Sequence, residues 1–127
     1  MTEIQMMRFK ASLEAKRREL AREIRVQTGG LTIDEYGSDP MDQVQSMNQR
    51  DETALTVQWL SRVRSDVDAA LRAMSQHTYG ECVECGEPIS LKRLETIPWA
   101  SHCIGCQEFI ERREAARAAV PLWGDAR

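Results

Sequence analysis

Apolar residues recur along the first part of the chain with the period of a helix. Phe9, Leu13, Leu20 and Ile24 fall at steps of four, seven and four, which places them on one stripe. Residues 3–27 contain neither Gly nor Pro, and the other faces carry Arg8, Lys10, Lys16, Arg17, Arg18, Arg22 and Arg25. Thr28-Gly29-Gly30 predicts the end of this helix, since two glycines make a poor helix interior. A second and narrower pattern follows. Leu60, Val63, Val67, Ala70 and Met74 step three, four, three, four, a seam of the coiled-coil type. Upstream it is looser, through Val44, Met47, Leu55 and Trp59. Asp39 suits the N-cap of this second helix, Pro40 its first position and Asp42 its N3 position. Between the helices, residues 31–39 read as a loop with a turn at Tyr36-Gly37-Ser38.

Two long helices joined by a short loop predict an antiparallel hairpin. A second helix of roughly 38 residues would be about 55 Å long, more than the width of a small domain. The hairpin should project, with Gly29 to Asp42 at its far tip, and the longer second helix should overhang the first at the base. From residue 80 the character changes, with Cys, Gly and Pro clustered over 80–106 and a short helical stretch at Ser90–Glu95. A last helix is expected from about Cys106 to Val120, closed by Pro121. Ala115, Ala116, Ala118 and Ala119 make it slim enough to pack against the hairpin base. The expected fold is mainly α: a long antiparallel helical hairpin over 1–79, then a small globular region with a C-terminal helix over 80–127.

Charge sharpens this picture. Of 127 residues, 29% are charged, and the formal net charge is −3. Residues 1–30 carry 7 basic and 4 acidic residues, whereas 31–58 carry 1 basic and 6 acidic. The acidic excess therefore sits around the expected tip, residues 34–42 included. The net negative charge argues against electrostatic clamping of nucleic acid, which needs a basic face. No apolar run approaches the roughly 20 residues of a membrane span, and the first ten residues lack the apolar core of a secretory signal. A reducing cytoplasm is the expected compartment. No nucleophile triad, phosphate loop or open metal site points to an enzyme.

The chemistry is in the cysteines. Cys82-Val83-Glu84-Cys85 and Cys103-Ile104-Gly105-Cys106 are two C-x2-C pairs separated by 17 residues. That spacing matches four-thiolate zinc sites, in which the shell is closed and the ion structural. Redox pairs forming disulfides and an iron–sulfur centre compete with this reading. Gly86 and Gly105 are expected to supply backbone freedom for tight turns. The second pair opens a helix, whose N-terminal N–H groups favour a thiolate. His102 is read as a bystander and His77 as an exposed helix-end residue. One Zn²⁺ with four thiolates would take the formal charge from −3 to −5.

The order of these parts resembles the DksA/TraR family of bacterial transcription regulators. The resemblance rests on Tyr79-Gly80-Glu81-Cys82-Val83-Glu84-Cys85-Gly86-Glu87-Pro88-Ile89, on Leu91-Lys92-Arg93-Leu94-Glu95-Thr96-Ile97-Pro98-Trp99-Ala100 and on the final Cys103-Ile104-Gly105-Cys106. Asp39-Pro40-Met41-Asp42 is similar to the acidic family motif at the hairpin tip. Membership implies a non-enzymatic regulator that binds RNA polymerase without sequence-specific DNA contact. Its hairpin enters the secondary channel, the zinc part sits on the outer rim, and the tip carboxylates Asp39 and Asp42 lie near the catalytic centre. Helix capping alone would also account for both acids.

The chain departs from the family pattern in two places. Gln43 and Val44 follow Asp42 where the family commonly has Arg and then Ala, and Val44 adds bulk at the tip. Some members also bind ppGpp through basic residues of the second helix and one after the last cysteine. The corresponding residues here are Trp59, Arg62, Asp66 and Gln107. Asp66, one turn after Arg62, is expected to pair with it, so regulation should be largely independent of ppGpp. Two other readings stand beside this one: a zinc-stabilised coiled-coil adaptor for another protein, and a transcript-cleavage stimulator using tip carboxylates to hold Mg²⁺.

Overall fold

The computed structural model describes residues 1–30 and 40–119, the side chains of 30 and 40–48 excepted. Four helices follow in order: α1 (Glu3–Gly30), α2 (Pro40–Ser75), α3 (Leu91–Thr96) and α4 (Ile104–Ala119). Among the described residues the extended pairing is one isolated antiparallel bridge, Glu81 with Pro88. No described helix is long and apolar enough to cross a membrane.

Helix α1 starts at a reciprocal cap. The Thr2 hydroxyl accepts from the Gln5 N–H at 3.1 Å, and the Gln5 amide oxygen accepts from the Thr2 N–H at 2.9 Å. Two orphan donors of the first turn are satisfied together. The helix runs through Gly29 to Gly30, three residues beyond the Gly-free stretch.

The two apolar stripes meet as expected. Leu13, Leu20, Leu60 and Val67 are at most 4% exposed, with Phe9, Val63 and Ala70 also buried and Ile24 and Met74 packed at the margin. The step missing from the α1 stripe, between Leu13 and Leu20, is bridged by charge. Arg17 pairs with Asp68 at 3.8 Å, and the Lys16 ammonium lies 5.5 Å from the Trp99 ring, within cation–π range.

Those contacts also fix the register. Phe9 faces Tyr79 and Arg17 faces Asp68, so the helices are antiparallel and Ser75 stands level with Lys10. The overhang is therefore not α2 past α1 at the base. There α1 extends past α2, because Phe9 must reach Tyr79 beyond the end of α2. At the other end Gly30 stands level with Leu55, and it is the first part of α2 that runs on.

Helix α2 stops by backbone hydrogen bonding rather than by glycine. The Thr78 N–H reaches the Ala73 carbonyl at 2.8 Å and the His77 N–H the Met74 carbonyl at 3.2 Å. This is a Schellman pattern, which needs a left-handed residue at its C′ position. His77 fills it at φ 60°.

Helix α4 departs from expectation. It begins at Ile104, two residues before Cys106, and none of its residues is buried. Residues 111–119 are all exposed, the four alanines included. It does not pack on the hairpin base: small side chains permit close approach but offer no apolar stripe to drive it. The expected end at Val120 and Pro121 lies outside the described residues.

Candidate metal centre

The chain leaves α2 at His77 and at once enters the core. Tyr79 is 8% exposed. Its ring lies 5.9 Å from that of Phe9, and its hydroxyl donates to the Pro98 carbonyl at 2.8 Å. This bond ties the entry of the four-cysteine segment to its middle. Burial pushes the Tyr79 phenol up to about 12.

The first knuckle is a tight backbone loop. The Cys82 N–H donates to the Glu87 carbonyl at 2.8 Å, and the Gly86 N–H returns to the Cys82 carbonyl at 2.9 Å. Gly86 is in the left-handed region at φ 75°, where a Cβ would be strained. The Ile89 N–H then bonds the Gly80 carbonyl at 2.7 Å. Gly105 differs from its expected role. It lies in the first turn of α4, outside the positive-φ glycines Gly80 and Gly86, so no turn there demands glycine.

The second knuckle is the start of α4. The Gln107 N–H bonds the Cys103 carbonyl at 2.9 Å, which makes Cys103 the residue before the helix and puts Cys106 in its first turn. Two hydrogen bonds hold this knuckle to the rest. The Val83 N–H donates to the Ser101 carbonyl at 2.9 Å, and Arg93 Nε donates to the His102 carbonyl at 3.1 Å. Leu94, fully buried, lies beside Gly80 at the entry to the first knuckle. Ser90 caps α3 by accepting from the Arg93 N–H, so the short helix that carries Arg93 and Leu94 is itself fixed.

These elements bring Cys82, Cys85, Cys103 and Cys106 together with their sulfurs all within 4.8 Å of one another. Cys85 and Cys103 Sγ are 3.7 Å apart. A tetrahedron with zinc–sulfur bonds of about 2.3 Å has edges of about 3.8 Å, so the cluster has the size of a four-thiolate zinc site. All four cysteines are free thiols rather than disulfides. Their acidities diverge as sulfurs crowded round one point must. N–H donation from Cys85, then Cys103, draws Cys82 down to about 6, while the neighbouring sulfurs, Cys103 first, push Cys106 up to about 12. A divalent cation removes that conflict by stabilising all four thiolates.

His102 is not part of the cluster. Its Nδ1 lies 3.0 Å from the Ser101 hydroxyl and its Nε2 4.0 Å from Glu84. Tyr79, Arg93, Leu94 and Trp99 stand in the stretches that carry the family resemblance, but nothing in their spacing assigns them a supporting role. That role comes from the bonds of Tyr79 and Arg93 to distant carbonyls and the packing of Leu94 and Trp99 with the core.

Residues 77–112 match the model of the prokaryotic dksA/traR C4-type zinc finger. The RNA polymerase-binding transcription factor DksA of Caulobacter vibrioides is 38% identical over 118 residues, covering 90% of this chain and 81% of that protein. The chain belongs to the DksA/TraR family. The Escherichia coli K12 protein of the same name is 32% identical over 121 residues, covering 93% of this chain and 79% of that one. The solved structure of transcription factor DksA2 from Pseudomonas aeruginosa superposes with a TM-score of 0.77 at 33% identity, over 90% of this chain and 88% of that chain. As a DksA/TraR protein the chain carries one structural zinc, and the size of the sulfur cluster agrees.

The other DksA/TraR positions singled out from sequence fall differently. Asp39 lies outside the described residues. Asp42 and Val44 are on α2, with side chains outside the described ones. Arg62 and Asp66 share a face of α2 without a close ion pair. The Asp66 carboxyl is raised by burial, against the opposing pull of Arg62 and, from the zinc region, His102. Trp59 is 62% exposed, and Gln107 bonds along α4 to Glu111 at 3.1 Å.

Proposed function

We propose that this chain regulates transcription by binding RNA polymerase, with its hairpin inserted in the secondary channel and its zinc region on the channel rim. The observation that carries the reading is similarity, over 90% and 93% of this chain, to proteins named RNA polymerase-binding transcription factors, joined to a hairpin whose second helix is 36 residues long. At 1.5 Å per residue that helix spans about 54 Å, long enough to carry its first turn deep into an enclosed passage. Residues 1–79 are the inserted part, and 80–127 the part that stays outside.

Asp39 and Asp42 are the groups we assign to the tip, with Val44 beside them. Their charge acts on cations or basic side chains near the polymerase active centre. The chain is not an enzyme in this reading; it biases the polymerase. A ppGpp response is weak, because a polyanion needs several cations. Trp59, Arg62, Asp66 and Gln107 supply one, and Asp66 stands on its face.

The test is competition on core polymerase against a protein known to fill the channel, followed by transcription from a sensitive promoter. The chain should compete. Asp42→Asn should bind with little loss yet regulate poorly. Failure to bind core polymerase would favour the adaptor reading, and cleavage of stalled transcripts would favour the stimulator. Equal regulation by parent and Asp42→Asn would leave the acid as a helix cap only.

A further inference from the structure

Midway along α2 the chain loses its charge. From Thr53 to Ser61 no residue is ionisable, in a protein where 29% of residues are charged. Within that band Leu60 is buried in the hairpin seam, while Leu55 and Trp59 are 67% and 62% exposed. They are four residues apart, stacked on one face of the helix, and neither joins the packed core or its margin among the described residues. Ala54, Leu55, Val57 and Gln58, with Asp51, line a shallow open depression beside them. Single exposed apolar residues are ordinary on a protein surface. Trp is among the residues that dominate interface energetics, and here it is stacked with a Leu that extends its apolar area, in a charge-free band next to a depression.

The position along the hairpin says what meets it. Leu55 and Trp59 lie about 22 and 28 Å from Pro40 along the helix axis. Leu55 is level with Gly30, the last described residue of α1. Whatever encloses the tip must also enclose this band, because the band lies between the tip and the zinc region. We propose that Leu55 and Trp59 anchor the hairpin to the protein wall of the RNA polymerase secondary channel. The inference rests on the channel reading above and adds a residue-level contact to it. Its chemistry is apolar, so its contribution to binding is insensitive to salt, unlike that of the acidic tip.

The experiment measures the affinity of the full, zinc-loaded chain for core polymerase at low and high salt. The variants are Trp59→Ala, Trp59→Phe, Leu55→Ala and, as an equally exposed control at the base, Ile4→Ala, whose parent side chain is 71% exposed. Trp59→Ala and Leu55→Ala should each weaken binding by about tenfold or more, by the same factor at both salt concentrations. Trp59→Phe should retain most of the affinity, and Ile4→Ala all of it. Melting curves of the four variants should overlay the parent, since none removes a buried side chain. If the parent binds and Trp59→Ala binds equally well, the anchor is overturned. It is also overturned if the chain alone self-associates and Trp59→Ala abolishes that association, for then a second copy is the occupant. A parent that does not bind core polymerase overturns the channel reading, and the anchor with it.

Discussion

Replacing Tyr79 by Phe removes one oxygen and leaves the rest of the core in place. The ring keeps its packing on Phe9 at 5.9 Å between centroids, so the cost isolates the 2.8 Å bond to the Pro98 carbonyl. A buried neutral hydrogen bond is worth about 1 kcal/mol, and an acceptor left unsatisfied raises the loss toward 2. For a chain of 127 residues that lowers Tm by roughly 4 °C per kcal/mol. The pH dependence tests the same geometry from the other side. The free phenol titrates near 10 and the folded one at about 12. Between those values the unfolded chain loses a proton that the folded chain keeps. Stability from this group is therefore complete below pH 10 and lost as pH rises toward 12, by about 1.4 kcal/mol per pH unit. Tyr79→Phe lacks that loss. The parent should be the more stable of the two at pH 8, and the gap should close and then reverse by about pH 12. The assay is urea unfolding of both zinc-loaded proteins across that range, reading the difference so that all other titrations cancel. A difference that does not change with pH would refute the buried, hydrogen-bonded phenol.

Three further outcomes are expected. His77→Gly should raise stability by about 1 kcal/mol in thermal unfolding, because glycine adopts the left-handed C′ conformation without the penalty of a Cβ. Leu94→Ala should cost about 2–5 kcal/mol and weaken zinc retention in a chelator competition, since Leu94 is fully buried beside Gly80, where the chain enters the first knuckle. Metal analysis of protein purified without added zinc should find one zinc per chain, and Cys85→Ser or Cys106→Ser should lose it; stripping the metal should unfold 80–106 while circular dichroism retains the helix signal of the hairpin.

The hairpin was legible because each helix carries its own stripe, and the stripes name the faces that meet. Partners and register were not. The gap between Leu13 and Leu20 gave no hint that Lys16 would lie over Trp99, a residue 83 positions away. The placing of the overhang at the base failed for the same reason: helix lengths do not say which ends align, and Phe9 on Tyr79 decides it. The four-cysteine cluster was legible from spacing, because C-x2-C geometry is local. Arg93 and Tyr79 support the site through carbonyls nine and 19 residues away, and no local pattern announces such bonds. The alanines of α4 were misread because smallness permits packing without driving it.

The nakedness of α4 has a consequence for the life of the protein. An isolated helix of 16 residues is marginal in water, and this one touches the body of the molecule chiefly through its start, where Cys103 precedes it and Cys106 sits in its first turn. Cys82 lies in the common core, so the metal rivets the final helix to everything before it. Once zinc leaves, Arg112, Arg113 and Arg117 belong to a loose tail that a trypsin-like protease can cut.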